Sequence, residues 1–245
     1  MSFKFKDELL EIKKILNSSI DVEKVKRYNP EEDSTFSNGV RSWIGSIFVD
    51  IADSSSLFES DEVSDKVKAK IIKAFCHGLI NIFNDNAIDV GIRGDCVYAV
   101  FSTPYKADLK EMFDIACSAN TFLKMLNKQL HIQSFPTIKA GIGMACSEDL
   151  IVVAGSKRKA KDYIWIGECL VEANKLSKMA NRGSHLPIAL SSLLYSNIIG
   201  ELTEENESSK EWFSQKRESA FDDPYYECDV VYSSISKWID DDFKD

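Results

Sequence analysis

The chain has 245 residues, 44% hydrophobic and 28% charged, with a formal net charge of −9. That size and balance fit one large soluble domain with short appendages. No apolar stretch approaches the ~20 residues of a membrane span, and the negative charge argues against general nucleic-acid binding, which needs a basic face.

The six cysteines (Cys76, Cys96, Cys117, Cys146, Cys169, Cys228) show no CxxC spacing. Several sit in apolar contexts, so they read as reduced core residues of a cytoplasmic protein. His77, His131 and His185 lie too far apart to suggest zinc.

In chain order, residues 4–18 predict an amphipathic helix with Leu9, Leu10, Ile12, Ile15 and Leu16 on one face. It is too charged for a secretory signal and is expected to pack on the domain or a partner, with a membrane-surface helix as the minor alternative because the charges are mixed. Residues 19–41 are polar and read as loop or linker. The expected organisation is an N-terminal helix and linker over 1–41, a main domain over 42–233, and an acidic tail over 234–245.

A strand is predicted over 43–51, ending at Asp50 and followed by the polar run Ala52, Asp53, Ser54, Ser55, Ser56. A long helix follows over 62–84. A carboxylate at the end of a buried strand, with a loop opening into a helix N-terminus, suits a metal–polyphosphate: the Asp holds the cation, while backbone N–H groups and the helix dipole receive phosphates. Strands over 87–93 and 96–102 meet at Gly94-Asp95, which puts Asp95 at a hairpin tip. If this hairpin neighbours the first strand, Asp50 and Asp95 face one metal site.

A second long helix is predicted over 108–129, then strands over 136–146 and 150–155. Gly141 and Gly143 in the first of these suggest close backbone approach or a bulge. The basic run Ser156–Lys161 reads as a solvated turn or as a rim for an anionic substrate or a partner chain. A short strand (162–166), a helix (168–181), a strand and short helix (187–199), a polar loop or insertion (202–223) and a last strand (225–232) complete the chain. This alternation predicts an α/β or α+β sandwich, its mixed sheet carrying helices mainly on one face.

Three segments occur in order at the spacing of one family. They are FVDIADSSSL, IRGDCVYAVF, and IKAGIGMA followed by VVAGSKRKAKDYIWIGECLVEANKLSKMA. Over residues 43–233 the chain resembles the class III nucleotidyl cyclases, the adenylate/guanylate cyclase catalytic domain. The resemblance implies an α+β fold with a mixed, mainly antiparallel sheet, a ferredoxin-like core, and a homodimer with sites at its interface. It implies two divalent ions, Mn2+ or Mg2+, held by Asp50, Asp95 and the Ile51 carbonyl. The loop from Ala52 to Ser56 would cradle the triphosphate. The ribose 3′-hydroxyl would attack the α-phosphate in line and release pyrophosphate.

The departures from the family pattern also bear on function. Gly91 stands where adenylate cyclases place a purine-reading lysine, and Ile164 where they place a base-reading Asp or Thr. Neither offers a side-chain hydrogen bond, so purine discrimination would be poor. Val171 and Lys175 stand at the asparagine and arginine that support the transition state in the partner chain; the lysine keeps charge but loses the bidentate fork. This combination resembles the pyrimidine cyclases of bacterial anti-phage (Pycsar) signalling. These convert UTP or CTP to the 3′,5′-cyclic monophosphate, which activates an effector protein. The alternatives are a purine cyclase and a non-catalytic nucleotide-binding domain. Arg93 is open to substrate contact or a salt bridge, Arg41 to the neighbouring chain's base pocket, and Tyr163 and Trp165 to core, interface or base stacking. Asp53, at a family glycine position, reads as a turn cap or a phosphate neighbour.

Overall fold

The computed structural model describes residues 4–59, 61–84, 86–155 and 161–244. The chain runs α1 (Phe5–Asn17), β1 (Asp21–Lys24), α2 (Pro30–Asp33), β2 (Asn38–Ile51), α3 (Ser54–Glu59), α4 (Asp65–Phe83), β3 (Asp89–Arg93), β4 (Cys96–Ser102) and α5 (Lys106–Ile132). It continues with β5 (Ala140–Gly155), β6 (Lys161–Ile166), α6 (Cys169–Met179), β7 (Ile188–Ser191), α7 (Ser192–Glu205), a 3-10 turn (Glu207–Trp212), β8 (Ser214–Lys216), β9 (Tyr225–Cys228) and α8 (Ser233–Asp240).

The sheet order is β3-β4-β2-β5-β7-β9-β8, with β1 added to β2 and β6 to β5. Among the described residues only β1–β2 and β5–β7 pair in parallel. The segment β2-α4-β3-β4-α5-β5, with β2 between β4 and β5, is the split βαβ arrangement of ferredoxin-like folds. No helix among the described residues is long and apolar enough to cross a membrane.

The central strands are apolar on both sides because both sides are covered. Ile47, Val49 and Ile51 of β2, with Val97, Ala99 and Phe101 of β4, join Phe75 and Leu79 of α4 and Met112 and Phe113 of α5. Ile44, Phe48, Tyr98 and Val100 point the other way and meet Cys169 and Ala173 of α6. Alternation with period two thus gives two cores from one sheet. Each fully buried aliphatic or aromatic side chain contributes roughly 1.5–3 kcal/mol.

Helix α6 lies very close to β5. A Cβ on Gly143 would sit 2.0 Å from the Ala173 carbonyl oxygen and 2.2 Å from the Ser177 nitrogen. One on Gly141 would sit 2.2 Å from the Ser177 carbonyl oxygen. Of the two readings of these glycines, close approach is the one the fold uses.

Several sequence expectations are corrected. Residues 19–41 are not all loop: β1 pairs with Asn38–Arg41, so β2 starts at 38 rather than 43. Tyr28 in this stretch is 1% exposed. The strands expected at 136–146 and 150–155 are one strand, held by continuous pairing with β2 from Gly39↔Val152 to Ile51↔Ala140. The 202–223 region carries the end of α7, a 3-10 turn and β8. The final strand stops at Cys228, and the expected acidic tail forms α8, where Ile239 is buried and Asp240 accepts from Lys124 at 2.8 Å. α1 forms where expected but buries no residue; Phe5, Leu9 and Leu16 are 77%, 51% and 77% exposed. The basic run at 156–160 lies outside the described residues.

Candidate active site

Asp50 and Asp95 come together because of register. Asp50 pairs across the sheet with Cys96, and Asp95 immediately precedes Cys96 in the β3–β4 turn. Gly94, at φ +65°, supplies the left-handed residue that this tight turn needs. Asp50 is 8% exposed, and its carboxyl is pushed above the usual carboxylate range, first by burial and then by the charge of Asp95. The Cys96 thiol is pushed up to about 12, by burial and then by both carboxylates.

Two adjacent carboxylates, one nearly buried, make an oxygen-only donor set suited to a hard divalent cation. Among the described residues no three His, Cys, Asp or Glu side chains converge on a metal position. The backbone donor that the family resemblance implies, the Ile51 carbonyl, follows Asp50 in β2 and accepts from Arg182 at 3.2 Å.

The following loop is tied down at two of its five amides. Ala52 N–H donates to the Lys139 carbonyl (2.7 Å), and Ser56 N–H to the Asp53 carbonyl (3.0 Å). Asp53 sits at φ +52°, a conformation that favours glycine, and its carbonyl also accepts from the Ser56 hydroxyl at 2.7 Å. Ser54 and Ser55 open α3, where N–H groups have no intrahelical partner. They line a cleft of about 470 Å3 together with Gly94, Asp95, Ile72 and Lys68. Lys68 of α4, its side chain only 16% exposed, lies 3.7 Å from Asp65. Sequence reading missed Lys68, since one of several lysines on a helix carries no signal until the helix is docked.

Arg182 was also missed as a site residue. In the sequence it belongs to a helix-ending Asn-Arg-Gly; in the fold its guanidinium lies 2.6 Å from Asp50 Oδ2 and 3.2 Å from the Ile51 carbonyl. Its partners lie 131 and 132 residues away, and no local pattern announces them.

At the expected base-reading positions the structure has a ring where a lysine would reach. Gly91 faces Tyr98 across the hairpin, and a Cβ at 91 would lie 2.4–2.5 Å from Tyr98 ring atoms. Tyr98 stacks on Phe48 at 5.3 Å. Ile164 is 42% exposed on β6, while Trp165 meets Tyr28 edge-on at 5.9 Å. Arg93 makes an exposed 3.5 Å ion pair with Asp162, and the exposed Arg41 pairs through its backbone with β1 and β5.

No protein-family profile matches the chain. It is 38% identical over 242 residues to a uridylate cyclase of Treponema porcinum, covering 98% of this chain and 82% of that protein. The chain belongs to the uridylate cyclase family. A second relative, a uridylate cyclase of Gulbenkiania mobilis, is 29% identical over 187 residues, 73% of this chain and 72% of that one. Among solved structures, the guanylyl cyclase Cya2 superposes with TM-score 0.62 at 15% identity (80% and 95% of the two chains). The adenylyl cyclase CyaB of Pseudomonas aeruginosa gives 0.61 at 19% (80% and 96%). These two likenesses show the class III cyclase fold.

In this uridylate cyclase family member, α6 presents Val171, 55% exposed, and Lys175 on the face away from the core. Of the α6 lysines, Lys178 lowers the Asp50 carboxyl and Lys175 lowers that of Glu172. The Glu172 carboxyl is pushed up to about 7, by burial first and then by Glu168 and Asp223. A folded pKa above the unfolded value means a contribution fully present below about pH 4.5 and lost as pH rises through 7. Glu172→Gln is therefore expected to raise stability at pH 8 by ~1 kcal/mol, after discounting for partial solvent contact, and to leave it unchanged at pH 4.5. Thermal melts of both proteins at the two pH values check this.

Proposed function

We propose that this protein is a metal-dependent pyrimidine nucleotide cyclase that converts UTP, in preference to CTP, into the 3′,5′-cyclic monophosphate and pyrophosphate. The observation that favours a pyrimidine over a purine is the Tyr98 ring packed on Gly91, which occupies the space beside the purine-reading position. The preference for UTP over CTP rests on the two relatives, both named uridylate cyclase.

In the proposed reaction the ribose 3′-hydroxyl attacks the α-phosphate, its proton leaves, and the bond to pyrophosphate breaks. Asp50, Asp95 and the Ile51 carbonyl would hold two divalent ions, Mn2+ or Mg2+. When bound, these ions acidify the hydroxyl and neutralise phosphate charge. The N–H groups at Ser54 and Ser55 would receive the triphosphate, with Lys68 supplying positive charge at the cleft wall. Arg93 and Ile164 would border the substrate from the hairpin and β6.

A second chain would complete the site, with Lys175 acting as its transition-state cation. Exposed Ile92, Ile164, Ile166 and Val171, 42–55% accessible, give a homodimer an apolar surface to cover. The cyclic product would act in the cytoplasm on an effector protein as an anti-phage signal, in keeping with the free thiols.

The test is incubation of the purified protein with each ribonucleoside triphosphate and Mn2+, with products identified by mass spectrometry. Cyclic UMP formed faster than cyclic CMP, with no cyclic purine product, is the expected result. A cyclic purine as main product overturns the base assignment, and a faster reaction with CTP overturns the preference.

A further inference from the structure

Arg182 makes four contacts with its two terminal nitrogens. Nη1 donates to the Ser177 and Ala180 carbonyls at 2.8 and 3.1 Å, and Nη2 donates to Asp50 Oδ2 and the Ile51 carbonyl at 2.6 and 3.2 Å. The two terminal nitrogens of a guanidinium carry four hydrogens, so each has an acceptor. Ser177 and Ala180 lie at the C-terminal end of α6, where carbonyls lack intrahelical partners.

The backbone that carries Arg182 is fixed as well. It is flanked by Asn181 and Gly183, at φ +58° and +57°. Asn181 Nδ2 donates to the Ala140 carbonyl at 3.0 Å, and Ala140 is the cross-strand partner of Ile51. The arginine thus ties the end of α6 to the last two residues of β2, the same two that the proposed function assigns to the metal.

We propose that Arg182 is the positioning residue of the metal site. It engages Asp50 through Oδ2 and leaves Oδ1 for the cation, and it fixes the direction of the Ile51 carbonyl. A guanidinium held by four acceptors stays in place when an ion arrives; a displaceable counter-ion would not need the two contacts to α6. Ligating carboxylates are commonly oriented by such outer contacts, whose loss typically costs 10–100-fold in metal affinity. This inference rests on the metal-site reading above.

The experiment is Mn2+ titration of the full-length protein without nucleotide, followed by electron paramagnetic resonance, for wild type, Asp50→Asn, Arg182→Met and Arg182→Lys. Melting curves ensure that each variant is measured folded. Arg182→Met is expected to weaken Mn2+ binding 10–100-fold, with a smaller loss for Arg182→Lys, which keeps the charge but not the fork. Arg182→Met binding Mn2+ as tightly as wild type, or tighter, overturns the proposal, because a structural bridge or a competing cation predicts those results. Should Arg182→Met not fold, Arg182→Lys decides: unchanged affinity overturns the proposal. If Asp50→Asn binds Mn2+ like wild type, the metal-site reading itself fails, separately from any effect of Arg182.

Discussion

Asp50→Ala and Asp95→Ala are each expected to reduce turnover by at least ~10^3-fold while the chain stays folded. Each removes one of the two carboxylates that the proposed function assigns to the metal, at the end of β2 and in the β3–β4 turn, and among the described residues no group of three acidic, His or Cys side chains could hold a metal in their place. Ion stabilisation of a phosphoryl transition state is worth several kcal/mol, and each 1.4 kcal/mol is tenfold in rate. The Asp95 variant is the cleaner of the two, because loss of Asp50 also strips Arg182 of its carboxylate partner. Steady-state rates with UTP and Mn2+, read beside melting temperatures, check this. Survival of wild-type activity in either variant would show that the metal lies elsewhere.

The second large effect is expected on stability, from Gly143→Ala. The added methyl would meet Ala173 O at 2.0 Å and Ser177 N at 2.2 Å, and both are backbone atoms of α6 that no side-chain rotation can clear. The helix must lift from β5, which opens the contacts of Ala173 and Leu176, both fully buried. A loss of about 3 kcal/mol is expected, at the upper end of ordinary overpacking. Gly200→Ala in α7 is the control, because nothing lies within 4 Å of its added Cβ and alanine favours a helix by up to ~1 kcal/mol. Urea unfolding should move the two midpoints in opposite directions. Equal midpoints for Gly143→Ala and wild type would show that α6 does not lie this close to the sheet.

The elements that could be read from the sequence are those whose cause is local. The apolar run of β2, the Gly94-Asp95 turn and the periodic stripes of α4 and α5 declare themselves within a few residues. The elements that could not be read depend on distant partners. The polar strand β1 exists because the start of β2 offers it an edge, and β5 runs on through Ser147, Glu148 and Asp149 because β2 pairs with all three. α8 looked like a charged tail because only Ile239 of its residues is buried. The meeting of Asp50 and Asp95 was legible from strand ends and turns. The contact of Arg182 with Asp50 was not, since it depends on where α6 ends relative to β2.

The β2–β5 pairing also has a kinetic side. The two strands that form the middle of the sheet are separated by a loop closure of about a hundred residues. During synthesis β2 emerges long before β5, and in that interval β1 and β4 can pair with it along one edge while the edge that β5 takes stays open. Pairings of such high contact order form slowly, and an open edge on an apolar strand invites pairing with other chains. Arrival of β5 thus closes that edge of β2, and both cores are completed only later, when α6, β7 and α7 supply Ala173, Ile188 and Leu194.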